Sequence, residues 1–107
     1  MASYYTVVQY VPDPLAGERI NIGVFAYGEG RILCRFLQNW NRVRAFGGED
    51  IQFLLDFTER AKSFTAEQVK KMAANWNHSI QLTEPRGWLT SPEDLLAEVA
   101  GLFLRET

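Results

Sequence analysis

The run Tyr4-Tyr5-Thr6-Val7-Val8-Gln9-Tyr10-Val11 is β-branched or aromatic at nearly every position, the composition that packs best on a pleated surface. Side chains alternate along a strand, so Tyr4, Thr6, Val8 and Tyr10 share one face while Tyr5, Val7, Gln9 and Val11 share the other. Both faces are largely apolar, which suits a central strand covered on both sides. The whole chain has 107 residues, one domain's worth. Residues 1–107 are therefore read as a single domain that must supply both the neighbouring strands and the covering layers.

Pro12-Asp13-Pro14 ends the first strand, because proline lacks the ladder N–H and biases its predecessor towards extended geometry. After the loop Leu15-Ala16-Gly17-Glu18, residues 19 to 27 alternate again, with Ile20, Ile22, Val24 and Ala26 expected on one side and Asn21, Gly23, Phe25 and Tyr27 on the other. Gly28-Glu29-Gly30 reads as a hairpin loop, and Arg31 to Leu37 as a third strand with Ile32, Cys34 and Phe36 on one face. Residues 38 to 46 fit either a loop or a short helix, closed by Gly47-Gly48. Glu49-Asp50 opens a helix whose stripe is Ile51, Leu54, Leu55 and Thr58, widened by Phe53 and Phe57. Thr65 and Gln68 match a capping box ahead of Val69, Met72, Ala73 and Trp76. Ser79 to Thr83 is expected to be a fourth strand, ended by Glu84-Pro85-Arg86-Gly87. Ser91-Pro92-Glu93-Asp94 then starts a last helix with Leu95, Leu96, Val99, Leu102 and Phe103 on its apolar face. The expected fold is α+β: an antiparallel β-meander of three to four strands packed against about three α-helices.

Few catalytic chemistries fit these residues. Cys34 and His78 are the single cysteine and histidine, too few for the usual structural zinc sites, and no metal or other cofactor is expected. Cys34 lies mid-strand, where a free cysteine behaves as a small buried hydrophobe; His78 follows a helix end, near the negative pole of its dipole. The glycines form neither a P-loop nor a dinucleotide-binding turn. Asp13 and Glu18 flank one loop and are the only carboxylates placed to suggest a metal-dependent hydrolase, with turn chemistry as the simpler explanation. No catalytic residue is assigned. No apolar run approaches the ~20 residues of a membrane span, and the first residues lack a signal peptide's charged start, so a soluble, cytoplasmic protein is expected.

Charge is distributed unevenly. Five arginines against Asp13, Glu18 and Glu29 give residues 1–47 a balance of +2, so a whole-chain charge of -2 leaves -4 for residues 48–107. Between Arg31 and Gly47 lie Arg31, Arg35, Arg42 and Arg44 without an acid, interleaved with Phe36, Trp40 and Phe46. Guanidinium groups beside aromatic rings suit an acidic protein surface or single-stranded nucleic acid. The competing reading is a solvated strand face at Arg31 and Arg35, with Arg42 and Arg44 paired to acids of the last helix.

Tyr4 to Pro14 followed by Gly17-Glu18-Arg19-Ile20-Asn21-Ile22-Gly23-Val24 resembles the N-terminal signature of the bacterial DUF3037 proteins, and Trp88 to Leu95 resembles their closing segment. The resemblance covers about residues 4–27 and 79–104. It implies no catalytic residue; Asp13, Glu18, Arg19, Asn21 and Gly23 are motif-loop positions whose roles have to be argued physically. Gly23 is expected to permit close approach of a backbone or an aromatic ring, and Asn21, on the same face, to hydrogen-bond the loop from Pro12 to Gly17. The resemblance also implies the company of a HipA-like kinase, hence a non-enzymatic accessory module of a bacterial stress or defence system, the small partner of a larger protein. The contact residues expected on either the partner or the nucleic-acid reading are Arg31, Arg35, Trp40, Arg42 and Arg44.

Overall fold

The computed structural model describes residues 2–11, 19–47, 51–74 and 80–104. Its elements are β1 (Ser3–Tyr10), β2 (Ile20–Gly28), β3 (Arg31–Phe36), α1 (Asn41–Gly47), α2 (Ile51–Ala61), α3 (Ala66–Ala74), β4 (Ile80–Leu82), β5 (Arg86–Trp88) and α4 (Pro92–Phe103). The sheet is antiparallel in the order β3-β2-β1-β4, with β5 also pairing to β1. The expected α+β meander is present, with a fifth strand and a fourth helix.

β1 lies inside the sheet and is covered on both faces, as its composition requires. On the Thr6–Val8–Tyr10 face, Phe25 and Phe36 meet Phe57 of α2 and Phe64 of the α2–α3 connection, with ring centroids 5.9–6.3 Å apart. Leu54, Val69, Ile80 and Leu82 join this core. On the opposite face α4 packs across β1, β2 and β3, contributing Leu95, Leu96 and Val99. Apolar burial supplies the dominant favourable term, roughly 1.5–3 kcal/mol for each fully buried large side chain.

Two irregularities decide what the sheet presents to its faces. Val8 pairs with Gly23 but Gln9 with Asn21, so Ile22 is an extra, bulged residue on β2. Its carbonyl accepts from Leu37 N at 3.0 Å, and its side chain is fully buried. The bulge reverses the expected alternation at the start of β2. Ile20 lies on the face of Gly23 and Phe25, and Asn21 lies on the face of Val24 and Ala26, opposite Gly23.

The second irregularity separates β4 from β5. Val8 pairs with Leu82 and Tyr5 with Arg86, so two residues of β1 oppose Thr83, Glu84 and Pro85. Proline offers no ladder N–H, and Thr83 repairs the gap. Its N donates to Val7 O at 3.0 Å, its Oγ1 accepts from Val7 N at 2.9 Å, and its carbonyl accepts from the buried Thr6 hydroxyl. Glu84-Pro85 therefore interrupts the edge, and Arg86-Gly87 resumes it as a strand where a terminator was expected.

Local signals set most other boundaries. Glu29 and Gly30 have φ of 54° and 75° between the paired Gly28 and Arg31, the two positive values of a type I′ hairpin turn. Thr65 N donates to Gln68 Oε1 at 2.8 Å and Gln68 N to Thr65 Oγ1 at 3.2 Å, the expected capping box. Ser91 Oγ accepts from Asp94 N at 3.2 Å, with Pro92 following the cap. Residues 41–47 form α1, resolving the loop-or-helix alternative. Leu102, expected on the buried stripe of α4, is 65% exposed, and Phe53 of α2 is also exposed. The expected helix start at Glu49-Asp50 lies outside the described residues, as do Trp76, His78 and the loop from Pro12 to Glu18.

Gly23 does admit an aromatic ring. A Cβ there would stand 2.3 and 2.4 Å from the Phe36 ring, which is held edge-on by both Phe25 and Phe57. Gly23→Ala is expected to destabilise the fold by about 1–3 kcal/mol through overpacking, read as a lowered denaturation midpoint. Adding Phe36→Leu should restore part of the loss; additive losses would place the strain elsewhere.

Candidate functional site

A cleft of about 370 Å³ opens on the α4 face of the sheet, lined by Tyr5, Val7, Gln9, Asn21, Thr83, Arg86 and Phe103. Strand alternation brings Tyr5, Val7 and Gln9 there from β1, and the Ile22 bulge brings Asn21. The Glu84-Pro85 interruption leaves Arg86 opposite Tyr5. Phe103 arrives at the end of α4, its ring centroid 5.9 Å from that of Tyr5.

A directed chain of hydrogen bonds crosses this face. Arg19 Nη1 donates to Gln81 Oε1 at 2.7 Å and to Gln9 Oε1 at 3.3 Å. Gln9 Nε2 donates to Asn21 Oδ1 at 3.1 Å, and Asn21 Nδ2 donates to Phe103 O at 3.2 Å. The final carbonyls of a helix lack intrahelical donors and carry the negative end of its dipole. Asn21 satisfies one of them and thereby fastens α4 to the sheet. Its described partners are Gln9 and Phe103, reached because the bulge turns it to this side, while the expected contact with the loop from Pro12 to Gly17 lies outside the described residues.

The arginine segment is organised differently. Arg31 and Arg35 lie on the α4 face of β3, and Arg31 is paired with Glu93 of α4 and with Glu29 at 3.2 Å. Glu93 and Glu29 raise the Arg31 pKa, and the Arg31 hydrogen bond lowers that of Glu93. Glu93 of the last helix thus pairs with Arg31, and Arg44 makes no ion pair with that helix among the described residues. Arg35 and Arg44 are exposed, the latter on α1, while the Arg42 side chain lies outside the described residues. Trp40 is half-buried against the core and donates its Nε1–H to Leu37 O at 2.8 Å. Gly23 is buried beneath Phe36; Asp13 and Glu18 lie outside the described residues.

A larger hollow of about 550 Å³ beside the β2–β3 turn is lined by Tyr4, Tyr27, Glu29, Arg31, Phe64 and Lys70, among others. Its cations are already engaged: Arg31 as above, and Lys70 with Glu67 at 3.7 Å and over the Tyr27 ring at 5.7 Å. Burial, followed by the neighbouring Tyr4, raises the Tyr27 hydroxyl's pKa. Arg86 of the smaller cleft, in contrast, makes no ion pair among the described residues. Sequence reading missed Arg86 and Gln9 as site residues. Placing Arg86 in a terminator hid it, although its register after Pro85 was the available signal.

Among the described residues, no cluster of three His, Cys, Asp or Glu side chains is arranged to hold a metal ion, and no helix is long and apolar enough to cross a membrane. Cys34 is half-buried on β3, and burial pushes its thiol up, partly offset by Lys62. Its alkylation by iodoacetamide at neutral pH should run slower than that of free cysteine and keep rising above the ordinary thiol range. A rate matching the free amino acid would contradict that environment. Asn21→Leu removes the donor to Phe103 O and the acceptor for Gln9, and is expected to destabilise by about 1–3 kcal/mol. Hydrogen exchange should quicken first in the last turn of α4; uniform quickening would deny Asn21 its local role.

The family model described as a protein of unknown function, DUF3037, matches residues 5–105. No curated protein and no solved structure matches the chain.

Proposed function

The chain belongs to the DUF3037 family, and we propose that it is a non-catalytic binding module, the small partner of a larger protein in a bacterial stress or defence system. The observation that carries this proposal is the pair Trp88 and Leu89, 61% and 85% exposed in consecutive positions where β5 ends. Tryptophan anchors are enriched among the residues that dominate protein interfaces. Among the described residues β5 pairs only with β1, so its outer backbone groups suit a segment of the partner. The occupant suited to this edge is an extended apolar segment carrying a carboxylate opposite Arg86, which shares its strand face with Trp88. The HipA-like kinase implied by the family resemblance is the first partner to test, and cytoplasmic action follows from that pairing.

Nucleic-acid binding through the arginine segment draws less support. Arg31 is neutralised by two carboxylates, and the Trp40 ring packs against the core rather than standing free to stack on a base.

Co-elution with a purified HipA-like kinase from the same genome provides the test. Trp88→Ala with Leu89→Ser should weaken the complex about 30-fold or more, the loss typical of an interface anchor, with the denaturation midpoint little changed. A complex indifferent to both substitutions would refute the proposed edge. Salt-sensitive binding to single-stranded nucleic acid, lost in Arg35→Ala with Arg44→Ala, would favour the other mode.

A further inference from the structure

We propose that the cleft between β5 and α4 is a recognition site for a carboxylate joined to an apolar group. This goes beyond the docking edge, since the cleft is complete within one chain and needs neither Trp88 nor Leu89.

The polar wall of the cleft offers donors, while each of its acceptors already takes part in a hydrogen bond within the wall. Gln9 Oε1 accepts from Arg19 and Asn21 Oδ1 accepts from Gln9. Thr83 Oγ1 accepts from Val7 N. Each amide group has two N–H donors, and the chain of hydrogen bonds uses one from Gln9 and one from Asn21. Each therefore retains a second N–H that has no partner among the described residues. The Thr83 hydroxyl proton has Thr6 Oγ1 at 3.4 Å as its alternative to the cleft. Arg86 adds a guanidinium fork with no carboxylate partner among the described residues, and Arg19 adds a second positive charge behind Gln9. Among the described residues, no carboxylate lines the cleft. Donors converging beside an unpaired guanidinium select an anionic acceptor, and the planar fork of arginine matches the two oxygens of a carboxylate.

The remaining wall sets the second requirement. Tyr5 and Phe103 stand 5.9 Å apart at a 32° interplanar angle, and Val7 lies between the polar groups on the same strand face. This surface accepts an apolar or aromatic group attached to the carboxylate. The volume, about 370 Å³, lies within the ~300–1,000 Å³ of small-molecule sites. Such a group is found on an amphipathic organic acid and at the free end of a polypeptide whose last side chain is apolar. The two share one chemistry.

The probes are 3-phenylpropionate and its uncharged match, 3-phenylpropionamide, titrated into the full chain while side-chain amide and guanidinium resonances are followed by NMR. The acid is expected to shift the Gln9 and Asn21 side-chain amides and Arg86 saturably, and the amide is expected to bind at least about 10-fold more weakly. Arg86→Gln, at an exposed strand position, should weaken the acid to the level of the amide, and Arg86→Lys should fall between. A parallel arm compares a short peptide ending in phenylalanine with a free carboxylate against its C-terminal amide. Tighter binding of the free-ended peptide than of 3-phenylpropionate assigns the site to a chain end, and equal or weaker binding to an organic acid. Equal affinity for acid and amide, an unaffected Arg86→Gln protein, or no saturable shift up to about 10 mM would overturn the proposal. Because Trp88→Ala with Leu89→Ser leaves this lining intact, loss of the kinase complex with retained carboxylate binding separates the two readings.

Discussion

The burial of β1 on both faces is the constraint from which the rest of the architecture follows. A strand with apolar residues on both sides cannot lie at a solvent-exposed surface, and this short chain has to provide two covers for it. The helices between β3 and β4 cover one face with an aromatic cluster, and among the described residues α4 covers the other. A single 12-residue helix is about 18 Å long. The cleft is what remains beside that helix at the β5 edge.

The attachment of α4 therefore matters beyond its apolar stripe. At its start, Glu93 reaches Arg31 across the hairpin end of the sheet; at its finish, the Phe103 carbonyl accepts a hydrogen bond from the Asn21 side-chain amide. The first is an exposed ion pair, screened by salt and weak by nature. The second is half-buried and belongs to a chain of oriented amides, where loss of one member leaves its neighbours unsatisfied. Polar fixing is concentrated at the end of the helix that borders the cleft, so the same side chains that hold the helix also define the site.

Much of this fold was legible in the residues. Alternation and proline placed β1, the glycine-flanked turn placed β2 and β3, and the Thr65–Gln68 and Ser91–Pro92 caps placed two helices. What alternation cannot reveal is an extra residue inside a strand. Ile22 is as apolar as its neighbours, so nothing in its chemistry announces a bulge, yet every residue before it changes face. Pro85 misled in the opposite sense: it marks a break in pairing, and the strand resumes one residue later, with Thr83 bonded to Val7 through both its N–H and its hydroxyl on the other side of the break. The candidate site lies where both irregularities meet, which is why alternation points neither to the contact of Asn21 with Phe103 nor to the place of Arg86 in the cleft. The arginine segment, conspicuous in one dimension, divides between a helix-facing strand and α1 once folded.

The inserted residue in β2 has a further bearing on how this chain can change. Deleting Ile22 would restore a regular ladder without moving its neighbours, since Asn21 would still stand opposite Gln9 and Ile20 opposite Tyr10; what would go is a fully buried side chain and the carbonyl that accepts from Leu37 N. Keeping Ile22 but drawing it into the ladder opposite Gln9 is the damaging change, because it would send Asn21 towards the aromatic core and Ile20 towards the open water of the cleft.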